Sequence, residues 1–195
     1  LTVSISLIGT ILGAIVAGRL SERYGRKPVL KAIALLYLFS AIGCAVAPVW
    51  SVFLLFRFLG GLAVGISSVV GPVFISEIAP AKDRGKLTGL FQIMIVSGIF
   101  IAYLSNFLFT GLGEDAWRYM LGIMAVPALL FYMLLGHISE SPRWLTLHKG
   151  SDAAQATFAL LGQEPTATAN AAAGTKAVNL FQRQYAKPIL FAVLL

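Results

Sequence analysis

Long apolar runs, separated by short polar connectors, make up most of this chain. Five of the runs have roughly the 20 residues that a helix needs to cross a bilayer. They cover residues 1–18, 32–49, 52–76, 87–110 and 119–138. Each run is continuously apolar rather than alternating, which favours helices over the strands of a membrane barrel. A sixth run, from Pro188 to Leu195, is too short to span. The pattern predicts an all-α, polytopic membrane helix bundle.

Basic residues are concentrated in alternate connectors. Residues 19–31, 77–86 and 139–187 contain five, three and five Lys or Arg residues, whereas residues 111–118 contain one. Cytoplasmic loops of membrane proteins carry an excess of Lys and Arg, so the three basic connectors are predicted to be cytoplasmic loops of a multi-pass protein of the cell membrane. In this topology Leu1 starts outside, and we expect the sequence to be a fragment that lacks at least one helix before it.

This topology divides the chain into three predicted regions. Residues 1–138 form five transmembrane helices, residues 139–187 form a cytoplasmic loop with short helices, and residues 188–195 start a further transmembrane helix. Within the loop, Ser151 is placed to cap a helix that ends at Leu161. The rest of the loop is predicted to be a linker over residues 163–175 and an amphipathic segment over residues 176–187.

Composition and charge narrow the class of protein. Of the 195 residues, 58% are apolar and only 12% are charged, about half the charged fraction of a typical soluble domain. This excludes a disordered chain and argues strongly against a soluble enzyme. The net charge of +7 does not indicate a nucleic-acid partner, because the basic residues lie in short clusters between apolar runs. The sequence contains no nucleotide-binding loop, metal-ligand cluster or nucleophile triad, so we expect a protein of the lipid bilayer with no enzymatic activity and no cofactor.

Small residues recur at four-residue spacing in two of the predicted spans. Gly9, Gly13 and Ala17 lie in the first span, and Gly61 and Gly65 lie in the third. This spacing places small residues on one face of a helix, where they let two backbones approach closely. A ligand-binding or hinge role is the alternative, but we expect plain helix packing.

Arg57 is a charged residue within the third predicted span. A charge at this depth is costly and usually faces the bundle interior or a water-filled cavity. Arg57 could be structural and bonded to backbone carbonyls, or it could pair with an acid that responds to protons or substrate. We favour the second interpretation. No predicted span contains an acid at comparable depth, so the partner would lie on a helix outside the sequence.

Gln92 lies near the start of the fourth predicted span. Its amide can donate and accept hydrogen bonds at once, which suits a ligand rich in hydroxyl groups. A hydrogen bond between helices explains a buried glutamine equally well. Ser97, Tyr103 and Asn106 on the same span are weaker candidates.

Acids and arginines cluster at the ends of the spans that are predicted to be cytoplasmic. The candidates are Glu22, Arg26, Glu77, Arg84, Glu140 and Arg143. Solvated loop charges are one explanation. The other is that these residues pair across the bundle and form a latch that breaks when the bundle opens.

The connector after the first span carries a recognisable motif. Its sequence, Gly18-Arg-Leu-Ser-Glu22-Arg-Tyr-Gly25-Arg26-Lys27, resembles the signature loop between helices 2 and 3 of the major facilitator superfamily. Glu22 stands where this signature normally has Asp, which keeps the charge on a longer side chain.

Later motifs resemble the sugar porter branch of this superfamily. In chain order they are Arg57-Phe-Leu-Gly60-Gly61, Pro72-Val-Phe-Ile-Ser-Glu77-Ile-Ala-Pro80, Arg84-Gly85-Lys-Leu with Gln92 and Gly98, Trp117-Arg118-Tyr119, and Ser139-Glu140-Ser141-Pro142-Arg143-Trp144-Leu145. Ser139 replaces the Pro that is usual in the last motif. Together the motifs cover nearly the whole chain.

The resemblance implies a partial N-terminal half of a major facilitator superfamily fold, comprising helices 2 to 6, the intracellular loop and the start of helix 7. It implies transport of a hexose or pentose by alternating access, with proton-coupled symport and passive diffusion both open. The alternatives are a carrier of another polar solute and a transport-inactive sugar sensor.

The resemblance also assigns roles to particular residues. In sugar porters, the glutamine that matches Gln92 hydrogen-bonds sugar hydroxyls, and Ile95 matches a position in the same pocket. In the proton-coupled members, the arginine that matches Arg57 pairs with a titrating Asp on helix 1. The residues that match Glu77, Arg84, Glu140 and Arg143 belong to the cytoplasmic gate of the family and pair there with charges from the other half. With Glu22 and Arg26 from the charge clusters, they complete the predicted gate.

Overall fold

The computed structural model describes residues 1–80 and 82–161, and this part of the chain forms eight α-helices. They are α1 (Thr2–Tyr24), α2 (Arg26–Val46), α3 (Trp50–Ile78), α4 (Arg84–Phe109), α5 (Ala116–Gly122), α6 (Ala125–Leu134), α7 (Pro142–Lys149) and α8 (Ser151–Leu161). A 3-10 turn, Thr110–Leu112, continues α4, and the described ranges contain no strand. Three predicted segments lie outside the described residues, namely 163–175, 176–187 and 188–195.

Five helical segments are long and apolar enough to cross a membrane, which confirms the five predicted spans. They are α1, α2, α3, α4 with its 3-10 turn, and the pair α5–α6 (Ala116–Leu134). Some helices run beyond the predicted limits, as α1 does to Tyr24, because helical hydrogen bonding continues into the charged connector. In contrast, α2 ends at Val46, short of residue 49, because Pro48 forces Ala47 into an extended backbone with ψ 120°.

The closest helix packing is between α1 and α3, and small residues make it possible. A Cβ atom added at Gly9 would lie 2.5 Å from the Phe58 carbonyl oxygen. Added Cβ atoms at Gly13, Gly61 and Gly65 would likewise run into backbone atoms of the facing helix. The prediction that these glycines serve helix packing is confirmed.

Helix α2 also packs against α3, through apolar and polar contacts. The buried apolar core that joins these helices comprises Ala17, Val29, Leu30, Ile33, Ala34, Ala63, Ile66, Val70, Phe74 and Leu135. Farther along the same interface, the Ser40 hydroxyl donates to the Phe56 carbonyl at 2.7 Å. The Tyr37 and Ser67 hydroxyls share a hydrogen bond of 3.0 Å. Such bonds satisfy polar groups that would otherwise face an apolar surrounding.

The fifth span is two helices, α5 and α6, rather than one. Pro127 lacks a backbone N–H and clashes with the carbonyl four residues earlier, which belongs to Ile123. The chain responds with a tight turn, in which the Val126 N–H donates to the Ile123 carbonyl at 3.1 Å. The regular helix is therefore interrupted at residues 123–124.

Helix α4 differs from the other long helices because it has no buried residue in the described part of the chain. Its packing partners there are the neighbouring helices α3 and α5. After α6, the short helices α7 and α8 form a connected pair, and Ser141 caps α7 by accepting from the Trp144 N–H at 3.3 Å. The helix predicted to end at Leu161 is confirmed as α8.

Candidate functional site

One end of the bundle holds a buried ion pair between α2 and α3. Arg26 Nε lies 2.9 Å from Glu77 Oε2, and Arg26 Nη2 donates to Glu77 Oε1 at 2.9 Å. The remaining guanidinium nitrogen, Nη1, donates to the Ser21 carbonyl at 3.2 Å. Both charged residues are only 8% exposed. A forked pair of this kind fixes orientation as well as charge.

Glu140, in the segment before α7, binds the backbone next to this ion pair. Its Oε1 accepts from the Arg26 and Lys27 backbone N–H groups at 3.1 Å each, and from the Ser141 N–H at 2.8 Å. The carboxylate therefore caps the N-terminus of α2, where a helix favours negative charge. Gly25, the residue before α2, has φ +96°, and a Cβ added there would lie 2.5 Å from Glu140 Oε2. We call Arg26, Glu77 and Glu140 the Arg26 cluster.

The structure brings together three of the six gate candidates and leaves the others apart. Glu22 is exposed, although its backbone carbonyl accepts from Trp144 Nε1 at 2.8 Å. Arg84 is exposed and Arg143 is half-buried. None of these three side chains takes part in the ion pairs formed among the described residues.

At the opposite end, Arg118 ties the start of α5 to the end of α2. Its Nη1 donates to the Ala45 and Ala47 carbonyls at 2.9 and 3.2 Å, and its Nε lies 3.3 Å from Asp115 Oδ1. Its Cζ lies 4.5 Å from the centroid of the Trp117 ring. A cation suits the C-terminus of a helix, where the last carbonyls lack partners. The sequence motif around Arg118 gave no sign of this role, because the carbonyls it satisfies are about 70 residues away.

Arg57 lies between these two ends, beside a cavity of about 400 Å³. The cavity is bounded by α1, α2, α3, α5 and α6, and its other polar lining side chains are Ser6, Tyr37, Ser40 and Cys44. Arg57 Cζ lies 5.5 Å from the centroid of the Phe53 ring. Its Nε is buried and has no hydrogen-bond partner among the described residues. No acid lines the cavity in the part of the chain that the structure describes.

Gln92 and Ile95 lie elsewhere, on the exposed surface of α4. Gln92 lines an open cleft of about 740 Å³ together with Pro72, Arg84 and Thr88. Ile95 is 41% exposed. The structure therefore does not place these two residues in the cavity beside Arg57. Within the described ranges, no group of three or more His, Cys, Asp or Glu side chains could hold a metal ion.

Comparison with known protein families identifies the family of this chain. The family model described as "Sugar (and other) transporter" matches residues 1–190, which is nearly the whole chain. The chain belongs to this sugar transporter family. This family lies within the major facilitator superfamily. Together with the five apolar helices, the family indicates a multi-pass membrane protein.

Curated relatives agree with the family. The Bacillus subtilis (strain 168) protein YwtG is 46% identical over 145 residues, which cover 74% of this chain and 31% of YwtG. The D-xylose-proton symporter of Escherichia coli (strain K12) is 37% identical over 167 residues, which cover 73% of this chain and 34% of the symporter. The chain thus spans about a third of the length of the curated relatives it matches.

Solved structures show the same architecture. The proton:xylose symporter XylE bound to 6-bromo-6-deoxy-D-glucose matches with a TM-score of 0.80 and 32% identity, covering 88% of this chain and 41% of XylE. The described helices of this sugar transporter family member are therefore part of a major facilitator superfamily fold.

Proposed function

We propose that this sugar transporter family member takes part in carrying a hexose or pentose across the cell membrane by alternating access. The observation that carries the proposal is its match to XylE, a proton:xylose symporter whose structure holds a sugar derivative. In such carriers the substrate binds near the midplane between two halves of the protein. The E. coli relative, named a D-xylose-proton symporter, supports a monosaccharide as the substrate class.

Gln92 is the residue that we propose to bind the sugar, with Ile95 lining the same pocket. Gln92 is exposed on a membrane-crossing helix, and its amide makes no hydrogen bond with a described residue. An amide without partners is costly in lipid, so this face of α4 is expected to meet a polar ligand or lumen. The resemblance to sugar porters, in which the matching glutamine binds sugar hydroxyls, supports ligand binding over a hydrogen bond between helices.

The Arg26 cluster is proposed to belong to the cytoplasmic gate. It fastens the junction of α1 and α2 to the end of α3 and to the segment before α7. Glu22, Arg84 and Arg143 are the proposed mobile part of the gate, because their charged groups are not committed to the ion pairs among the described residues. They would pair with charges of the opposite half when the cytoplasmic side closes.

Arg57 is proposed to serve proton coupling. A guanidinium with a buried, unpartnered Nε beside a cavity is unfavourable unless a further group compensates it. A titrating carboxylate would do so when ionised and would release the guanidinium when protonated. The E. coli relative is named a D-xylose-proton symporter, and its coupling to protons supports this role.

The test of sugar binding is Gln92→Ala in the protein expressed from its gene and purified in detergent. Loss of a buried polar partner costs about 1–3 kcal/mol, so the Kd for D-xylose or D-glucose is expected to rise roughly 5- to 150-fold. Titration calorimetry measures the change. Gln155→Ala, a glutamine exposed on α8, is the matched control and should leave the Kd unchanged.

An unchanged Kd in Gln92→Ala would remove this residue from the binding site. Sugar binding without uptake into proteoliposomes by the wild-type protein would contradict the transport proposal and favour a sugar sensor.

A further inference from the structure

Phe53 is packed against Arg57 in a way that the roles above do not explain. It precedes Arg57 by four residues on α3, so the two side chains share one helix face. The face of its ring lies 5.5 Å, centroid to Cζ, from the guanidinium, and Phe53 is only 7% exposed. Phe53 is a conventional core residue by burial and has apolar neighbours, but it also faces a cation.

The Phe53 ring is itself held from two sides. Trp117 meets it edge-on, with ring centroids 5.8 Å apart and an interplanar angle of 84°. Trp50 stacks on it at 5.5 Å and 20°. Arg118 holds the indole of Trp117 through its own cation–π contact while it donates to the end of α2. The ring that faces Arg57 is therefore held by Trp50 of its own helix and by Trp117 of α5.

The Phe53 ring has a larger effect on the orientation of the Arg57 guanidinium than a single contact usually has, because no hydrogen bond among the described residues competes with it. No hydrogen bond from the Arg57 guanidinium is seen within the described residues, and its Nε is buried without a partner. A cation over an aromatic face is attracted by the electron-rich ring, and the attraction grows when water is excluded. An aliphatic side chain could fill the same volume but would offer no such attraction.

We infer that Phe53, held by Trp117, is a positioning residue that orients the Arg57 guanidinium toward the cavity. The inference rests on the proposed role of Arg57 in proton coupling. In this arrangement the aromatic ring replaces the hydrogen bonds that would normally fix an arginine. It leaves the guanidinium nitrogens unoccupied, so that they can exchange partners during transport.

The experiment compares two activities of the protein expressed from its gene and reconstituted into proteoliposomes. One activity is accumulation of D-xylose driven by a proton gradient, and the other is exchange of D-xylose without a gradient. Arg57→Ala is expected to impair accumulation more than exchange. Phe53→Leu should lower the ratio of accumulation to exchange roughly 2- to 30-fold, the range that corresponds to a lost cation–π contact. Phe53→Tyr, which keeps the aromatic face, should restore the ratio.

A double variant separates positioning from packing. If Phe53 acts through Arg57, Phe53→Leu should change nothing further once Arg57→Ala is present, because coupled residues are not additive. Trp117→Leu gives a second route should Phe53→Leu fail to fold. It leaves Phe53 in place, removes the edge-on contact and should lower the same ratio by a smaller factor.

The outcomes distinguish the positioning role of Phe53 from the proposed role of Arg57 in proton coupling. Wild-type accumulation in Arg57→Ala would overturn proton coupling by Arg57 and the inference with it. Loss of accumulation in Arg57→Ala, with wild-type ratios in both Phe53→Leu and Trp117→Leu, would overturn only the positioning role. Equal loss of accumulation in Phe53→Leu and Phe53→Tyr, or additive losses in the double variant, would likewise show that Phe53 contributes packing alone.

Discussion

Arg26 and Arg57 show two opposite ways of holding an arginine in an apolar bundle. Arg26 places its nitrogens against Glu77 and the Ser21 carbonyl. Arg57 has an aromatic ring beneath it and a buried Nε without a hydrogen bond among the described residues. The first arrangement suits a fixed joint, and the second suits a group that changes partners.

The Arg26–Glu77 pair should contribute strongly to stability as long as both partners are present. Glu77→Gln leaves a buried guanidinium without its counter-charge, and breaking a buried pair from one side costs about 3–5 kcal/mol. We expect a clear fall in the melting temperature of the purified protein in detergent. Asp83→Asn is the matched control, because the Asp83–Lys86 pair is 3.7 Å long and exposed, and such pairs contribute about 1 kcal/mol or less. Equal losses from both variants would contradict this assignment.

At this scale the sequence identified candidate residues but not the groups that their side chains contact. The charge pattern identified Glu140 as a gate candidate, but the pattern suggests that an acid pairs with a basic side chain. Its partners include the Arg26 and Lys27 backbone N–H groups, more than 110 residues away. Such a contact depends on how closely two distant segments approach at Gly25. No local pattern contains that information.

At the scale of helices, spacing of small residues predicted close packing but not the identity of the packed pair. Chain neighbours such as α1 and α2 would have been the simplest partners. The structure instead joins α1 to α3, because the glycines of each meet the backbone of the other. The sequence contained the two matching faces, and only the three-dimensional arrangement shows that they meet.

Two glycines on α1 should respond to alanine with opposite signs. Gly13→Ala would drive a Cβ into the Leu62 carbonyl, and overpacking of this kind costs about 1–3 kcal/mol. Gly18→Ala is the control, since nothing lies within 4 Å of its added Cβ. Alanine there should stabilise by up to about 1 kcal/mol through its higher helix propensity. Thermal unfolding of both variants measures the difference, and similar melting temperatures would contradict tight packing of α1 on α3.

At the scale of the whole molecule, the two ends of the bundle differ in charge as the connector pattern predicted. The connectors around Arg26, Glu77 and Glu140 meet at one end, where Lys27 Nζ also donates to the Gly136 carbonyl at 3.2 Å. The other end is fastened by Arg118 and aromatic rings. This part of the fold could be predicted from the sequence because charge and hydropathy act over whole segments. The fine placement of Gln92 could not, since it depends on what packs against α4.

Single cysteines placed in the connectors test the topology. Lys27→Cys and Lys149→Cys, each in a Cys44→Ala background, should react with a membrane-impermeant maleimide from the same side of sealed vesicles. Glu114→Cys should react from the other side. The reason is that basic connectors remain in the cytoplasm. Labelling of positions 27 and 149 from opposite sides would overturn the arrangement of the spans.

The turn that divides the fifth span also limits how this span can sit in a bilayer. Around the turn, Leu121, Met124 and Pro127 line the cavity beside Arg57. Because Pro127 has no N–H to offer the Ile123 carbonyl, that carbonyl accepts from the Val126 N–H instead, and the turn satisfies it without help from water or lipid. The face of α5–α6 that carries Leu121, Met124 and Pro127 is the one that looks onto the cavity, which fixes the rotational setting of the span about its own axis.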